Sequence, residues 1–200
     1  MVYLLEPKQY KWIRYPRFPH ALIDKRVRGI PLQQSDLPAE TVLNARFALP
    51  DICEPASGFL FVSNRFRAAL EELVPGRVAF FPLNLKAPSR MLTDKGYFFI
   101  DVLPRAQTID WDRSPTGPRI ERAPDGRESR TLDVAMSDPS VKFRTMTAEM
   151  PPIWREADVD RPTVHYFPNK MHVFLQDELW EALNARFPKQ LVATKLAAEG

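Results

Sequence analysis

The sequence predicts an α+β fold with a largely antiparallel sheet. Two segments, Phe59 to Leu83 and His172 to Thr194, each read as strand, helix and strand in turn. Between them lie short apolar and β-branched runs separated by turn residues. One of these, Val141 to Thr147, alternates apolar with polar, as a sheet with one wet face requires. The chain also carries 20 prolines and only 7 glycines in 200 residues, the reverse of the usual proportion.

Residues 1–57 are punctuated by Pro7, Pro16, Pro19, Pro31, Pro38, Pro50 and Pro55. Each disfavours helix at the residue before it, so this segment is expected as short elements wrapped on the main body. Pro16 and Pro19 hold residues 8–28 extended. Ser35 to Ala45 has the makings of a short helix, with Ser35 or Asp36 as cap and Pro38 near its first turn.

From Gly58 onward, in the body 58–200 of a single domain, the signals sharpen. Phe59 to Val62 forms a buried strand, and Ser63 or Asn64 caps a helix over about residues 64–74 by accepting an unpaired amide hydrogen. Phe66, Ala69, Leu70 and Leu73 share one face of that helix. Pro75 and Gly76 end it, and Arg77 to Leu83 returns as a strand.

Further strands are predicted at Gly96–Leu103, Gln107–Trp111, Arg130–Val134 and Val141–Thr147. Turns fall at Ser114–Pro118, Pro124–Gly126 and Asp138–Ser140, and Asp125-Gly126 signals a hairpin between two extended arms. His172 to Leu175 is the next strand. Gln176 and Asp177 cap a helix over about 177–187 that buries Trp180, Leu183 and Phe187. Pro188 stops it, and Gln190 to Thr194 follows as a strand. A shift of 113 residues lays Phe61 on Phe174, Asn64 on Asp177, Ala69-Leu70 on Ala182-Leu183 and Pro75 on Pro188. That match fits a duplicated unit or the common grammar of any strand–helix–strand.

The net charge of +3 resolves into two parts. Residues 8–28 hold seven bases (Lys8, Lys11, Arg14, Arg17, Lys25, Arg26, Arg28) and one acid, Asp24, for +6, which leaves −3 for the rest. Tyr10, Trp12, Tyr15 and Phe18 interleave with those bases, a mixture suited to single-stranded nucleic acid. The plainer reading packs the aromatics on the core while the basic stems reach water. The lone Cys53 forms no internal disulfide, no signal peptide is evident, and the apolar runs fall far short of a membrane span. A cytoplasmic protein is the expectation.

Residues suited to catalysis are sparse. His20, His165 and His172 lack metal-ligand spacing and read as core or edge histidines, the last two on neighbouring strands. Cys53 sits in a loop with no helix start to lower its pKa. P-loop, dinucleotide and serine-elbow motifs are missing. Asp110 and Asp112 flank Trp111 and share a strand face, with Asp101 on a preceding strand; a carboxylate-dependent metal hydrolase is the catalytic alternative. A second acidic stretch, Glu156, Asp158 and Asp160, interleaves with Arg155 and Arg161 in a loop. No catalytic residue, metal or cofactor is assigned, and the protein is expected not to be an enzyme.

Gly58 to Glu71 resembles the opening motif of immunity family eleven of bacterial polymorphic-toxin systems, an aliphatic residue, Val, Ser, a polar residue and a helix ending in Ala-Leu. The likeness continues through Val78–Leu83, Tyr97–Leu103, Ile109–Ser114 and Val173–Leu183, covering residues 51–196. Asp101 stands where the family often has Asn, and Gln176 where it often has Ser. The basic leader lies outside the resemblance.

The resemblance implies a small cytoplasmic protein that neutralises a cognate toxin delivered by type VI or contact-dependent secretion and encoded by the adjacent gene. No membrane or nucleic-acid partner is implied, and a homo-oligomer stays open. For a basic toxin, Glu156, Asp158 and Asp160 with Trp154 as anchor form one complementary patch, and Asp110, Trp111 and Asp112 form the other. The alternative from a different class is a nucleic-acid module using residues 8–28.

Overall fold

The computed structural model describes residues 1–9, 13–14, 18–27, 30–42, 44–45, 48–56, 58–86, 96–115, 121–122, 128–130, 132, 134–136, 138–145, 147, 149–157, 164–166 and 172–196. In chain order, the first elements are β1 (Val2–Leu4), β2 (Glu6–Pro7), β3 (Ile13–Arg14), α1 (His20–Val27), β4 (Thr41–Val42), β5 (Asn44–Ala45) and β6 (Ile52–Ala56). The middle contains β7 (Phe59–Ser63), α2 (Asn64–Leu73), β8 (Val78–Leu83), β9 (Leu85–Lys86), β10 (Tyr97–Val102) and β11 (Arg105–Ala106). Then come β12 (Glu121–Arg122), β13 (Glu128–Arg130), β14 (Ile153–Glu156), β15 (Val164–Tyr166) and β16 (Val173–Gln176). α3 (Asp177–Arg186), β17 (Leu191–Val192) and β18 (Lys195–Leu196) close the chain.

The fold is α+β with mostly antiparallel pairing. One sheet runs β6-β7-β10-β8, and another runs β11-β14-β16-β1-β18 with a parallel pair only at its β11 edge. Proline marks the edges of the first sheet. Pro82 lies on edge strand β8, and Pro55 lies at the irregularity in edge strand β6, where a missing amide hydrogen breaks no ladder. The predicted hairpin arms pair, Glu121 with Ser129 and Arg122 with Glu128. The Asp125-Gly126 turn between them lies outside the described residues.

The two sheets repeat each other in register. Val62 is paired to Ile52 on one side and Phe98 on the other; Leu175, 113 residues later, is paired to Ile153 and Tyr3. On the far side Leu83 meets Tyr97 and Leu196 meets Val2, while Val78 meets Val102 and Leu191 meets Pro7. One offset therefore carries β7, α2 and β8 onto β16, α3 and β17–β18. Both helices have ten residues. Their C-caps donate to Leu70 O and Leu183 O, and the residues after them, Gly76 (φ 70°) and Lys189 (φ 67°), turn in the left-handed region. The first repeat is contiguous in sequence. The second takes β1–β2 as the counterpart of β10.

Period-two alternation divides the apolar side chains between layers. Leu60, Val62, Ile100 and Val102 share a core with Leu5, Val173 and Leu175, and both helices fill it with Phe66, Leu70, Leu179, Leu183 and Phe187. The opposite face of the first sheet buries Phe59, Phe61, Tyr97 and Phe99 together with Leu22, Leu32, Leu37 and Leu49. The opposite face of the second buries Val2, Leu4, Trp154 and Phe174 against Ile109, Trp111 and Phe143.

Several expectations are corrected. Residues 35–45 are not a helix: a single 3₁₀ turn at Gln34–Asp36, closed by Asp36 accepting from Gln33 N, gives way to β4 and β5. Residues 20–27 are helical rather than extended, because Pro19 stands before the helix, where its fixed φ costs nothing. The N-terminus does not only wrap the body, since β1 lies inside the five-stranded sheet and β6 is in the first, with the 57/58 boundary inside the β6–β7 hairpin. Among the described residues, 107–111 and 141–147 form no strands and pair at the Ile109–Phe143 bridge, flanked by the Asp110 N to Lys142 O and Arg144 N to Thr108 O bonds, because a turn starts at Trp111. The strand expected at 130–134 meets β13 (128–130) at Arg130, and residues 131 and 133 lie outside the described residues. Cys53 is in β6, not a loop, and β15, which carries His165, lies in a different sheet from β16. Gln176 makes no side-chain cap; it donates to Met150 O instead, whereas Ser63 accepts from Phe66 N at 3.2 Å as expected.

A left-handed backbone costs a side-chain-bearing residue about 1–2 kcal/mol, while glycine there gives back part of that in unfolded-state entropy. Lys189→Gly is expected to raise stability by about 0.5–1 kcal/mol in urea unfolding, and Gly76→Lys to lower it by about 1–2 kcal/mol.

Candidate functional site

A carboxylate in an otherwise apolar strand must find a cation or fold at a large cost. Asp101 in β10 is fully buried and finds two. Arg26 Nη1 of α1 donates to its Oδ1 at 2.5 Å, and Arg155 Nη2 of β14 lies 2.8 Å from the same oxygen. The backbone amide of Leu32 donates to Oδ2 at 3.3 Å. The surplus positive charge faces carbonyls: Arg26 Nε and Nη2 donate to Gly58 O, Arg155 Nε to Val102 O, and Arg105 Nη1 to Val102, Leu103 and Pro104 O. Arg26 also lies over the Phe99 ring. Burial, and then the neighbouring Arg26, depress the pKa of Arg155, while Asp101 holds it up. With two guanidiniums on Asp101, a metal ion would meet cations where it needs acidic donors. The hydrolase alternative built on Asp101 loses that member.

The patch around Trp154 is also corrected. β14 is interior to its sheet, between β11 and β16, and Trp154, Arg155 and Glu156 are all buried. Trp154 stacks on Phe174 and donates to Thr108 Oγ1 at 2.6 Å. Glu156 accepts from Thr108 N at 3.0 and 3.1 Å and from Ile109 N at 3.2 Å, tying the 107–111 loop to β14. Burial pushes its carboxyl up to about 7, against the pull of those amide hydrogens. Neither side chain is exposed on the folded surface, where a contact patch would need them. Asp158 and Asp160 lie outside the described residues.

The other acidic group has a different geometry. Trp111 points inward and is buried, while Asp112 is exposed and Asp110 is part-buried. Asp110 accepts from Arg113 N at 3.3 Å, closing the turn, and Ser114 Oγ exchanges hydrogen bonds with Lys142 O and N at 3.3 and 3.0 Å. The acidic tip is thus held on a fixed base.

The basic segment serves the fold where it is described. Arg26 is buried on Asp101, Lys25 pairs with Asp36 at 2.5 Å, and Phe18 stacks on Phe59 at 4.4 Å. Tyr10, Lys11, Trp12, Tyr15, Arg17 and Arg28 lie outside the described residues. Cys53 is buried and its thiol is pushed up to about 12, far from the thiolate a nucleophile needs. His172 has its pKa lowered by burial. Among the described residues, His, Cys, Asp and Glu form no metal-holding group, and no helix is long and apolar enough to cross a membrane.

Some of this was visible in sequence. Asp101 interrupts Tyr-Phe-Phe-Ile, and Arg26 lies four residues after Leu22, one helical turn along the same face. Arg155 follows Ile153-Trp154. Each is a charge in an apolar setting, but the setting does not name the partner.

The immunity protein family (Imm11) matches residues 4–164, and the chain belongs to that family. The match takes in the basic segment 8–28, which the motif resemblance had left outside, and ends before α3. Curated proteins give no match. Toxin-neutralising immunity is the function that membership suggests.

Leaving two buried arginines without their carboxylate is expected to cost Asp101→Asn about 3–5 kcal/mol in chemical denaturation, while Asp112→Ala stays within about 0.5 kcal/mol of the parent. Glu156 binds its proton more tightly folded than unfolded. Its contribution is complete below the ordinary carboxyl pKa of 4.5 and is lost as pH rises through about 7. The unfolding free energy of the parent in urea should therefore fall from pH 5 to 8, by up to about 3 kcal/mol, and Glu156→Gln should flatten that slope.

Proposed function

We propose that this protein binds a cognate secreted toxin in the cytoplasm and neutralises it by covering its active site or the path of its substrate. Membership of the immunity family over residues 4–164 carries this reading. Blocking of this kind needs no catalysis. An interface of about 1,600 Å² with a few anchors is enough for tight binding.

Asp110 and Asp112 are the contact residues we assign to a basic toxin. They project from a turn anchored by buried Trp111 and by the Ser114–Lys142 hydrogen bonds, so little side-chain or loop ordering opposes association. Of the two acidic patches, this one retains an exposed carboxylate among the described residues.

Co-expression with the toxin encoded by the adjacent gene should rescue growth and yield a co-purifying complex; no complex at micromolar concentration counts against the reading. Asp112→Arg should slow association several-fold at low salt, with the difference shrinking as salt is raised. Stopped-flow mixing measures it, and an unchanged rate removes Asp112 from the interface.

A further inference from the structure

Residues 107–111 and 141–147 have the sequence pattern of two strands, yet they share half a ladder. In a hydrogen-bonded antiparallel pair, facing residues exchange two bonds, each amide donating to the other's carbonyl. The Ile109–Phe143 bridge fixes the register, with Thr108 opposite Arg144 and Asp110 opposite Lys142. Arg144 N donates to Thr108 O and Asp110 N to Lys142 O, both at 2.9 Å. The return bonds would come from Thr108 N and Lys142 N. Side chains take both donors instead. Thr108 N donates to Glu156 at 3.1 Å (Oε1) and 3.0 Å (Oε2), and Lys142 N donates to Ser114 Oγ at 3.0 Å.

Glu156 also accepts from the next amide, Ile109 N, at 3.2 Å. Successive amides of a strand point to opposite edges. Two that converge on one carboxylate form a nest, which bends the chain at Thr108–Ile109. Trp154 lies two residues before Glu156 on the same face of β14, and its Nε1 donates to Thr108 Oγ1 at 2.6 Å. At the far end Ser114 Oγ donates to Lys142 O at 3.3 Å. Between these two holds runs the turn with Asp110 and Asp112, its Trp111 folded inward. A carboxylate has lone pairs for several donors at once. An apolar side chain at 156 would leave the Thr108 amide to the Arg144 carbonyl.

We propose that Glu156 and Ser114 are positioning residues for the toxin contact: by taking the donors that would complete a strand pair, they hold Asp110–Ser114 as a projecting turn. The assignment of that turn to the toxin rests on the immunity reading above. Without the two side chains, the segments zip further and draw the turn into the ladder.

Hydrogen-bond scalar couplings, measured by NMR on the whole perdeuterated chain, read the partners directly. In the parent, Thr108 N should couple to the Glu156 carboxyl carbon. In Glu156→Leu it should couple to the Arg144 carbonyl carbon, and in Ser114→Ala the Lys142 N should couple to the Asp110 carbonyl carbon. Glu156→Gln keeps a side-chain oxygen and should keep the parent pattern at Thr108. Ser63→Ala removes a helix cap of the first repeat; it controls for lost stability and should change neither partner.

Against the toxin, Glu156→Leu and Ser114→Ala should each bind about tenfold more weakly, because the turn must then be reordered on association. Glu156→Gln and Ser63→Ala should stay close to the parent. A Thr108–Arg144 coupling in the parent, or no new partner for Lys142 in Ser114→Ala, overturns the interception. Changed partners with unchanged affinity overturn its role in toxin binding. If Glu156→Leu does not fold, Ser114→Ala and Glu156→Gln decide both points. If the parent does not bind the toxin, the immunity reading falls, and the couplings still decide what holds the turn.

Discussion

One buried carboxylate holds elements together that are distant in sequence. Asp101 draws Arg26 from α1 and Arg155 from β14, and Arg26 reaches on to Gly58 O at the β6–β7 hairpin. The carboxylate therefore joins the first sheet, the second sheet and the N-terminal helix. Two guanidiniums on one carboxylate need further acceptors; backbone carbonyls take Arg26 Nε and Nη2 and Arg155 Nε, while Arg155 Nη1 and Nη2 are buried without a hydrogen bond, Nη2 meeting Asp101 as an ion pair. Three otherwise separate stretches are fixed relative to one another by charges that have no alternative partner once water is gone. The corresponding position in the second repeat, Glu6, is only half-buried and accepts from the Thr194 hydroxyl. The buried carboxylate belongs to the first repeat, while one of its two arginines comes from the second sheet.

Around that centre the two repeats share a core. Both helices and one face of each sheet meet there, so each repeat buries its apolar face against the other. Neither half would have enough partners to be stable by itself. The outer faces are free to differ. In the first half α1 and the 32–37 segment cover Phe59, Phe61 and Tyr97. In the second, Ile109, Trp111, Met136, Val141 and Phe143 cover Val2, Trp154 and Phe174. Differences between the halves fall on outer faces, where a binding protein can vary without loss of its core.

The basic balance that invited nucleic acid is spent inside the molecule where it can be followed. Arg26 neutralises Asp101 and Lys25 neutralises Asp36, so part of the +6 of residues 8–28 is internal compensation. Likewise, the negative charge of Glu156 is turned onto backbone amides. A count of formal charge treats all of these as surface.

The sequence by itself determined what local physics can decide. The strand–cap–helix–stop grammar placed α2 and α3, period-two and apolar runs placed β7, β8, β10 and β16, and the 113-residue shift matched positions that share a register. Ser63 was legible as a cap because capping is a contact three residues long. Residues 35–45 and 20–27 went the other way, since helix and extended forms there differ by little until Thr41 finds Leu85 and Arg26 finds Asp101. Only the tertiary structure decided the fate of the acidic patches. Trp154-Arg-Glu has the look of a solvated loop, and becomes an interior strand once β11 and β16 flank it. It also decided that β1, at the opposite end of the chain from β16 and β18, completes the second sheet. Burial and pairing partners depend on contacts far apart in sequence, and no local pattern carries them.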